Sequence, residues 1–340
     1  MTARLDRRAA LLAAAGVLGA RPALAAVDLA ALTRQAAGEQ GDLSWYESNP
    51  VPALDRIAAA FGRGAGARIR VRPESIPGGV GIVGRVANEA QAGGRTADLV
   101  SLGGSGIARL AERNLLADVG WEAMGFPRPW VAGPALLTAA ALYCVIYNRN
   151  EVRAGEAPRS WEDLLHPRWR GKIGTWVRMA AFAELAQVWG EARTSNYYDR
   201  FLAQNPLLFR STAPLAQQVA SGEVPIGLGI YHTALPAIRR GAPIEVVMLD
   251  PTPMSAVWTA VTTPARRPAA AKLLGAWLAT PDGARAYEAA TERGHPLMEE
   301  TETGKRVQRL TLAEWPMAEK DVYARIYEAF NARVNEGNAR

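Results

Sequence analysis

The sequence predicts an α/β fold with largely parallel sheets in two lobes. Short β-rich runs alternate with amphipathic helical stretches from Asp42 onward, and 340 residues exceed what one core ordinarily organises. Hydrophobic residues are 49% and charged residues 21% of the chain, enough apolar surface for packed cores rather than disorder.

Residues 43–46 read as the first strand, and Leu54, Ile57, Ala58 and Phe61 then recur on one helix face behind Pro52, which suits a first helical turn. Residues 69–71 supply the next strand. A helix over 79–92 points Val80, Val83, Val86, Ala87 and Ala90 inward; a strand at 97–102 and a helix at 105–113 follow. Residues 142–147 form a strong strand, after which Ser160 opens a helical turn with Glu162 and Asp163 favourably placed for the helix dipole. Helices at 179–188 and 213–221 and strands at 207–210, 225–230 and 244–249 continue a second lobe. An alternating, β-branched strand at 255–262 and helices at 269–279 and 282–292, parted by Thr280-Pro281, close the pattern.

The N-terminus has its own composition. Arg4, Arg7 and Arg8 precede an apolar run from Ala9 to Ala20, and Ala23-Leu24-Ala25 offers a small-residue cleavage site, so residues 1–25 are expected to be a signal peptide. The run is too short to span a bilayer. Arg7-Arg8 loosely resembles a twin-arginine signal, leaving Tat and Sec export both open. The chain carries a formal charge of +6; removing residues 1–25 takes four Arg and one Asp and leaves +3. The remaining Arg are scattered singly or in pairs such as Arg239-Arg240, a pattern that argues against nucleic-acid binding. Cys144, the only cysteine, sits in an apolar stretch and reads as a buried thiol; an intramolecular disulfide and lipoprotein anchoring are excluded.

Several stretches carry a resemblance. Tyr147-Asn148-Arg149-Asn150-Glu151-Val152, Ala157-Pro158-Arg159-Ser160-Trp161-Glu162-Asp163-Leu164-Leu165 and Pro167-Arg168-Trp169-Arg170-Gly171-Lys172-Ile173 are joined by Gln217-Gln218-Val219-Ala220-Ser221-Gly222-Glu223-Val224-Pro225, Gly241-Ala242-Pro243-Ile244-Glu245 and Thr280-Pro281-Asp282-Gly283. In this order, behind a signal peptide, they resemble family 1 extracellular solute-binding proteins of ABC transporters. The resemblance implies a type II periplasmic binding protein fold, in which two α/β lobes joined by two crossing strands close on a ligand like a hinge. The crossings are expected near Thr138 and Ser255, giving residues 26–137 plus 255–340 as lobe 1 and 138–254 as lobe 2. The implied protein is a periplasmic monomer without a cofactor, handing its ligand to an inner-membrane permease; a sensor's ligand-binding partner would use the same closure.

Ligands of open α/β sheets sit beyond the carboxyl ends of strands, so the loops there hold the candidate residues. Tyr46, Glu47 and Ser48 follow the first strand, where an exposed loop would suit them equally. Gly103, Gly104 and Ser105 open a helix whose N–H groups face an anion, unless Ser105 merely caps a tight turn. Arg178 clamps a carboxylate or phosphate, or else pairs on the surface. Ser211 and Thr212 offer hydroxyls or a helix cap. Tyr231 and His232 end a strand with an aromatic and an imidazole, suited to a metal, an anion or a stacked ring.

Ferric-binding members of the family typically use adjacent tyrosines at this place. Here His232 replaces the second, while Pro50 and Gly103 stand about where first-lobe ligands would, so no metal site of that kind is expected. His166 and His295 read as surface histidines, and no His or Cys pair has metal-ligand spacing. Trp176 and Trp258 either wall the cleft or pack between lobes. Gly79, Gly81 and Gly84 spell G-x-G-x-x-G, but Pro73 and Pro77 intervene after the strand and Asp98 precedes the next strand's core, so dinucleotide geometry fails. The ligand class these groups favour is a small organic oxyanion, with ferric iron held through Tyr231 as the alternative. No Ser-His-Asp order or G-x-S-x-G elbow supports the further alternative, a secreted enzyme on the same fold.

Overall fold

A computed structural model describes residues 27–338; the expected signal peptide lies outside the described residues. The strands are β1 (Leu43–Glu47), β2 (Val71–Ser75), β3 (Leu99–Leu102), β4 (Val131–Ala132), β5 (Ala135–Asn148), β6 (Ile173–Trp176), β7 (Leu207–Phe209), β8 (Ile226–Ile230), β9 (Ile244–Val247), β10 (Thr252–Val261) and β11 (Leu312–Ala313). The helices are α1 (Leu29–Ala36), α2 (Val51–Arg63), α3 (Gly78–Gln91), α4 (Gly104–Glu112), α5 (Ala180–Trp189), α6 (Glu191–Leu202), α7 (Thr212–Ser221), α8 (Tyr231–Arg239), α9 (Pro268–Leu278), α10 (Pro281–Thr291), α11 (Glu302–Val307) and α12 (Lys320–Asn338).

The main strands run in the order β2-β1-β3-β10-β5-β8-β6-β7. Parallel pairing within β2-β1-β3 and within β8-β6-β7 fits the strand–helix alternation of the sequence. Between these groups lie the two long strands β5 and β10, antiparallel to each other, with all 14 residues of β5 buried. The first half of β5 pairs with β10 and its second half with β8 and β9. The β5–β10 seam is reinforced by Thr138, whose hydroxyl donates to the Val257 carbonyl at 3.0 Å.

Local chemistry explains most boundaries. Pro281 in the first turn of α10 follows Thr280, whose side-chain oxygen accepts from the Gly283 N–H. Gly283 admits no side chain, because a Cβ there would collide with the Trp277 carbonyl. The turn expected at Ser160 forms as a 3₁₀ segment, Glu162–Leu165, with Asp163 accepting from the backbone N–H of Arg159 and Ser160 at 2.9 Å.

Two expectations change and one element is added. β2 begins at Val71, later than residues 69–71, and runs through Pro73 to Ser75; as an edge strand it tolerates the proline. In α3 the inward residues include Ile82, while Val80 is 83% exposed, because the helix turns its 82–83–86 face to the sheet. The C-terminal helix α12 is not among the expected elements; its Ile326, Phe330 and Val334 enter the cluster formed by Trp161, Phe182, Tyr198 and Phe201, so its apolar face meets α5 and α6.

Phe182 is fully buried, with the rings of Tyr198 and Phe201 at 4.9 and 5.0 Å. Phe182→Ala is expected to cost about 3–5 kcal/mol in denaturant unfolding through the cavity it leaves, loosening the contact between α5 and α12.

Candidate functional site

The ends of β1, β3, β6 and β8 and the flank of α12 enclose a cavity of about 400 Å³. Of the residues expected there, Glu47, Ser48, Gly103, Arg178, Thr212 and His232 line it; Tyr46, Gly104, Ser105, Ser211 and Tyr231 do not.

Strand alternation separates the first pair. Tyr46 points to the opposite face from Glu47, with its hydroxyl 3.1 Å from Glu89 and the Arg85 guanidinium 4.5 Å above its ring. Burial, followed by Glu89, pushes its phenol pKa up. Glu47 is buried, and its carboxylate accepts from the backbone N–H of Ser48 at 2.8 Å and of Asn49 at 3.1 Å. Gly103 is the N-cap of α4 and faces the cavity, whereas Gly104 and Ser105 turn to an adjoining cavity of about 90 Å³. Ser105 is not the cap.

Beyond β6, Arg178 is exposed, its guanidinium 5.6 Å from the Trp176 ring centre, and it forms no ion pair among the described residues. Trp176 walls the cavity; Trp258 does not. Ser211 holds the N-cap position of α7 without a side-chain hydrogen bond.

The step from β8 into α8 divides Tyr231 from His232. Tyr231 is buried outside the cavity, and Arg306 Nε donates to its hydroxyl at 2.6 Å. Burial raises its pKa despite that arginine. His232 faces the cavity, and burial, helped by Arg293, pushes it down to about 3, so the imidazole is neutral at physiological pH. Its Nε2 lies 3.3 Å from Arg293 Nη2. A guanidinium can only donate, so Nε2 accepts and Nδ1 carries the proton. That Nδ1 and Arg293 Nε are buried and have no protein partner.

Arg293 is the main residue the sequence did not reveal. It follows α10 behind Glu292, which ends the helix in the left-handed conformation, and it forms no ion pair among the described residues. Tyr143 on β5 and Tyr323 and Tyr327 on α12 were also missed. Their one visible signal was the i, i+4 spacing of Tyr323 and Tyr327, which puts both on one helix face. His166 is exposed as expected, but His295 is fully buried, its ring 4.2 Å from that of Trp130. Among the described residues no group of three or more His, Cys, Asp or Glu is placed to hold a metal ion.

The family described as bacterial extracellular solute-binding protein matches residues 44–290. The chain belongs to this family. It is a solute-binding component of an ABC transporter rather than an enzyme. Its mixed α/β fold is that of the periplasmic binding proteins. Iron-bound HitA from Pseudomonas aeruginosa is similar at a TM-score of 0.70 and 16% identity, over 87% of this chain and 99% of that one. The substrate binding protein of an ABC transporter from Agrobacterium tumefaciens gives 0.69 and 17%, over 88% and 96%. AfuA from Actinobacillus pleuropneumoniae, with fructose-6-phosphate bound, gives 0.66 and 18%, over 87% and 99%. An uncharacterized protein from Haemophilus influenzae is 28% identical over 99 residues, 27% of this chain; the match spans only 29% of that relative.

The adjoining cavity holds two buried carboxyl groups. Glu314 accepts from the Ala256 N–H on β10 at 3.0 Å, and Glu184 on α5 accepts from the Trp315 N–H at 3.1 Å. Burial raises both, Glu314 to about 7; the Glu314 charge is the next cause raising Glu184. A carboxyl group held above its ordinary value stabilises the fold fully below that value and loses the contribution as pH rises through the folded value. Thermal stability is therefore expected to fall between about pH 4.5 and pH 7, by roughly 2–3 kcal/mol from Glu314 alone. Glu314→Gln should flatten that decline when melting temperature is followed against pH.

Proposed function

We propose that this chain captures a small organic oxyanion in the cavity, closes on it by hinge motion and delivers it to the permease of an ABC importer. The lobes in this reading are residues 26–137 with 255 to about 319, and residues 138–254 with α12 packed against them. The supporting observation is the charge balance of the lining. Among the described residues Arg178 and Arg293 have no carboxylate partner, while the one acidic side chain on the same cavity, Glu47, is already engaged by two backbone N–H groups. An anion between the guanidiniums would supply the missing acceptors, with charge-assisted bonds that are short and strong. Arg178 stands on the second lobe and Arg293 on the first, so one anion would reward closure.

In titration calorimetry, carboxylates or phosphonates are expected to bind and amines of similar size are not. Arg293→Met should weaken the tightest of these anions by roughly ten- to a hundredfold, the scale of a hydrogen bond to a charged group. In solution scattering, a saturating amount of that anion should reduce the radius of gyration; unchanged dimensions would refute hinge closure.

Ferric iron is the second reading. Tyr231, the expected phenolate, is held by Arg306 outside the cavity, but Tyr143, Tyr323 and Tyr327 line the cavity instead. Burial raises the pKa of Tyr143 and Tyr323, with Glu184 the second cause in each, which opposes the phenolate form that iron requires. Ferric salt is expected to give no visible iron–tyrosinate band; a band abolished by Tyr323→Phe would establish the iron reading and displace the first.

A further inference from the structure

We infer that the solute is an aromatic oxyanion, a flat unsaturated ring lying against Tyr143, Trp176 and Tyr327 with its acidic group at Arg178 and Arg293. This rests on the oxyanion reading above and adds the chemistry of the rest of the ligand.

The cavity has an apolar floor distinct from its charged rim. Ala141, Tyr143, Ala180, Ala181 and Ile230 form a cluster of their own, and Trp176 and Tyr327 pack on it half-buried. The same cavity exposes Tyr143, Trp176 and Tyr327 together, so three flat side chains from β5, β6 and α12 meet around one space. Tyr327 is held by its neighbour: its ring stacks on that of Tyr323 at 5.7 Å with 16° between planes. A ring face held in this way costs little further entropy on binding.

The polar capacity of this floor is confined to the Tyr143 and Tyr327 hydroxyls. The Trp176 indole N–H is already directed at the Arg210 carbonyl at 3.3 Å, and the neighbouring Ala and Ile side chains neither donate nor accept. A sugar ring would bury more hydroxyl groups there than two phenols can answer, at a cost for each one left over. A saturated chain would forgo the face and edge contacts that aromatic pairs gain beyond simple burial. The distance between charge and platform sets the ligand's shape. The Arg178 guanidinium is 5.6 Å from the Trp176 ring centre, so an acidic group on Arg178 leaves room for the ring only if it is attached directly or through a very short link.

The test is titration calorimetry of the purified protein with benzoate, cyclohexanecarboxylate, phenylphosphonate, glucose 6-phosphate and benzyl alcohol. Benzoate is expected to bind about fivefold more tightly than cyclohexanecarboxylate, which matches it in charge and approximate size but is not flat. Phenylphosphonate is expected to exceed glucose 6-phosphate. Tyr327→Leu should bring the benzoate-to-cyclohexanecarboxylate ratio close to one, and Tyr327→Phe should keep the ratio. Should Tyr327→Leu fail to fold, quenching of tryptophan fluorescence by benzoate but not by cyclohexanecarboxylate in the unaltered protein reads the same contact at Trp176. Equal affinity for the two acids, preference for the sugar phosphate, or no binding of either aromatic acid at millimolar concentration would overturn the inference; of these, equal affinity and preference for the sugar phosphate leave the oxyanion reading standing. Benzyl alcohol binding as tightly as benzoate would instead sink the oxyanion reading itself.

Discussion

The antiparallel seam between β5 and β10 is the constraint on which the rest of the molecule depends. Every other main strand is reached through it: β3 hangs on β10, and β8 and β9 hang on β5. Because β5 is buried along its whole length, its polar backbone groups must be satisfied by strand partners, and the change of partner from β10 to β8 falls between Leu142 and Tyr143. The cavity lies at that change: Ala141 and Tyr143 from β5 and Ser255, Ala256 and Val257 from β10 face it. A seam of two strands is the narrowest connection the sheet offers, so under the proposed hinge closure bending would be concentrated beside the cavity.

Much of this was legible in the sequence, for a physical reason. Parallel strands buried on both faces appear as short apolar runs, and the helices between them carry a one-sided apolar stripe, so elements such as α2, α7, α10 and β8 could be placed within a residue or two. The connections that line the cavity were legible in the same way, since the ends of β1, β3, β6 and β8 do converge on it. Direction within a loop was not legible. Tyr46 and Glu47 are neighbours on a strand and point to opposite faces, and Tyr231 and His232 are parted by the onset of α8; the sequence names such pairs together although only one member of each faces the cavity. Arg293, Tyr323 and Tyr327 were hidden for another reason. They belong to segments whose packing partner is far away in the chain: α12 settles on α5 and α6, more than a hundred residues earlier, and no local pattern records that choice.

Two kinds of ionisable group stand side by side, and they behave oppositely. Glu184 and Glu314 are carboxyl groups that burial keeps protonated toward neutral pH, tying α5 and β10 to the segment leading into α12. Arg178 and Arg293 cannot escape in that way, because a guanidinium does not lose its proton in the physiological range. Arg293 must therefore find acceptors as a cation, and the His232 imidazole beside it, neutral and turned so that Nε2 accepts, answers only one of its N–H groups. Desolvating such a group without a counter-charge is costly.

Under the proposed capture of an oxyanion by hinge closure, that asymmetry would order the steps. With the hinge open, water can solvate Arg178 and Arg293 separately, so the open form pays little for holding two like charges on facing walls. Closure without an anion would bring the guanidiniums toward each other and strip their water, and is opposed by both effects. Closure around an anion replaces repulsion by two attractions, while the aromatic floor contributes area that needs no charge at all. On that proposal the same residues would favour the closed form when loaded and the open form when empty, which is the differential affinity a carrier must have to report its load.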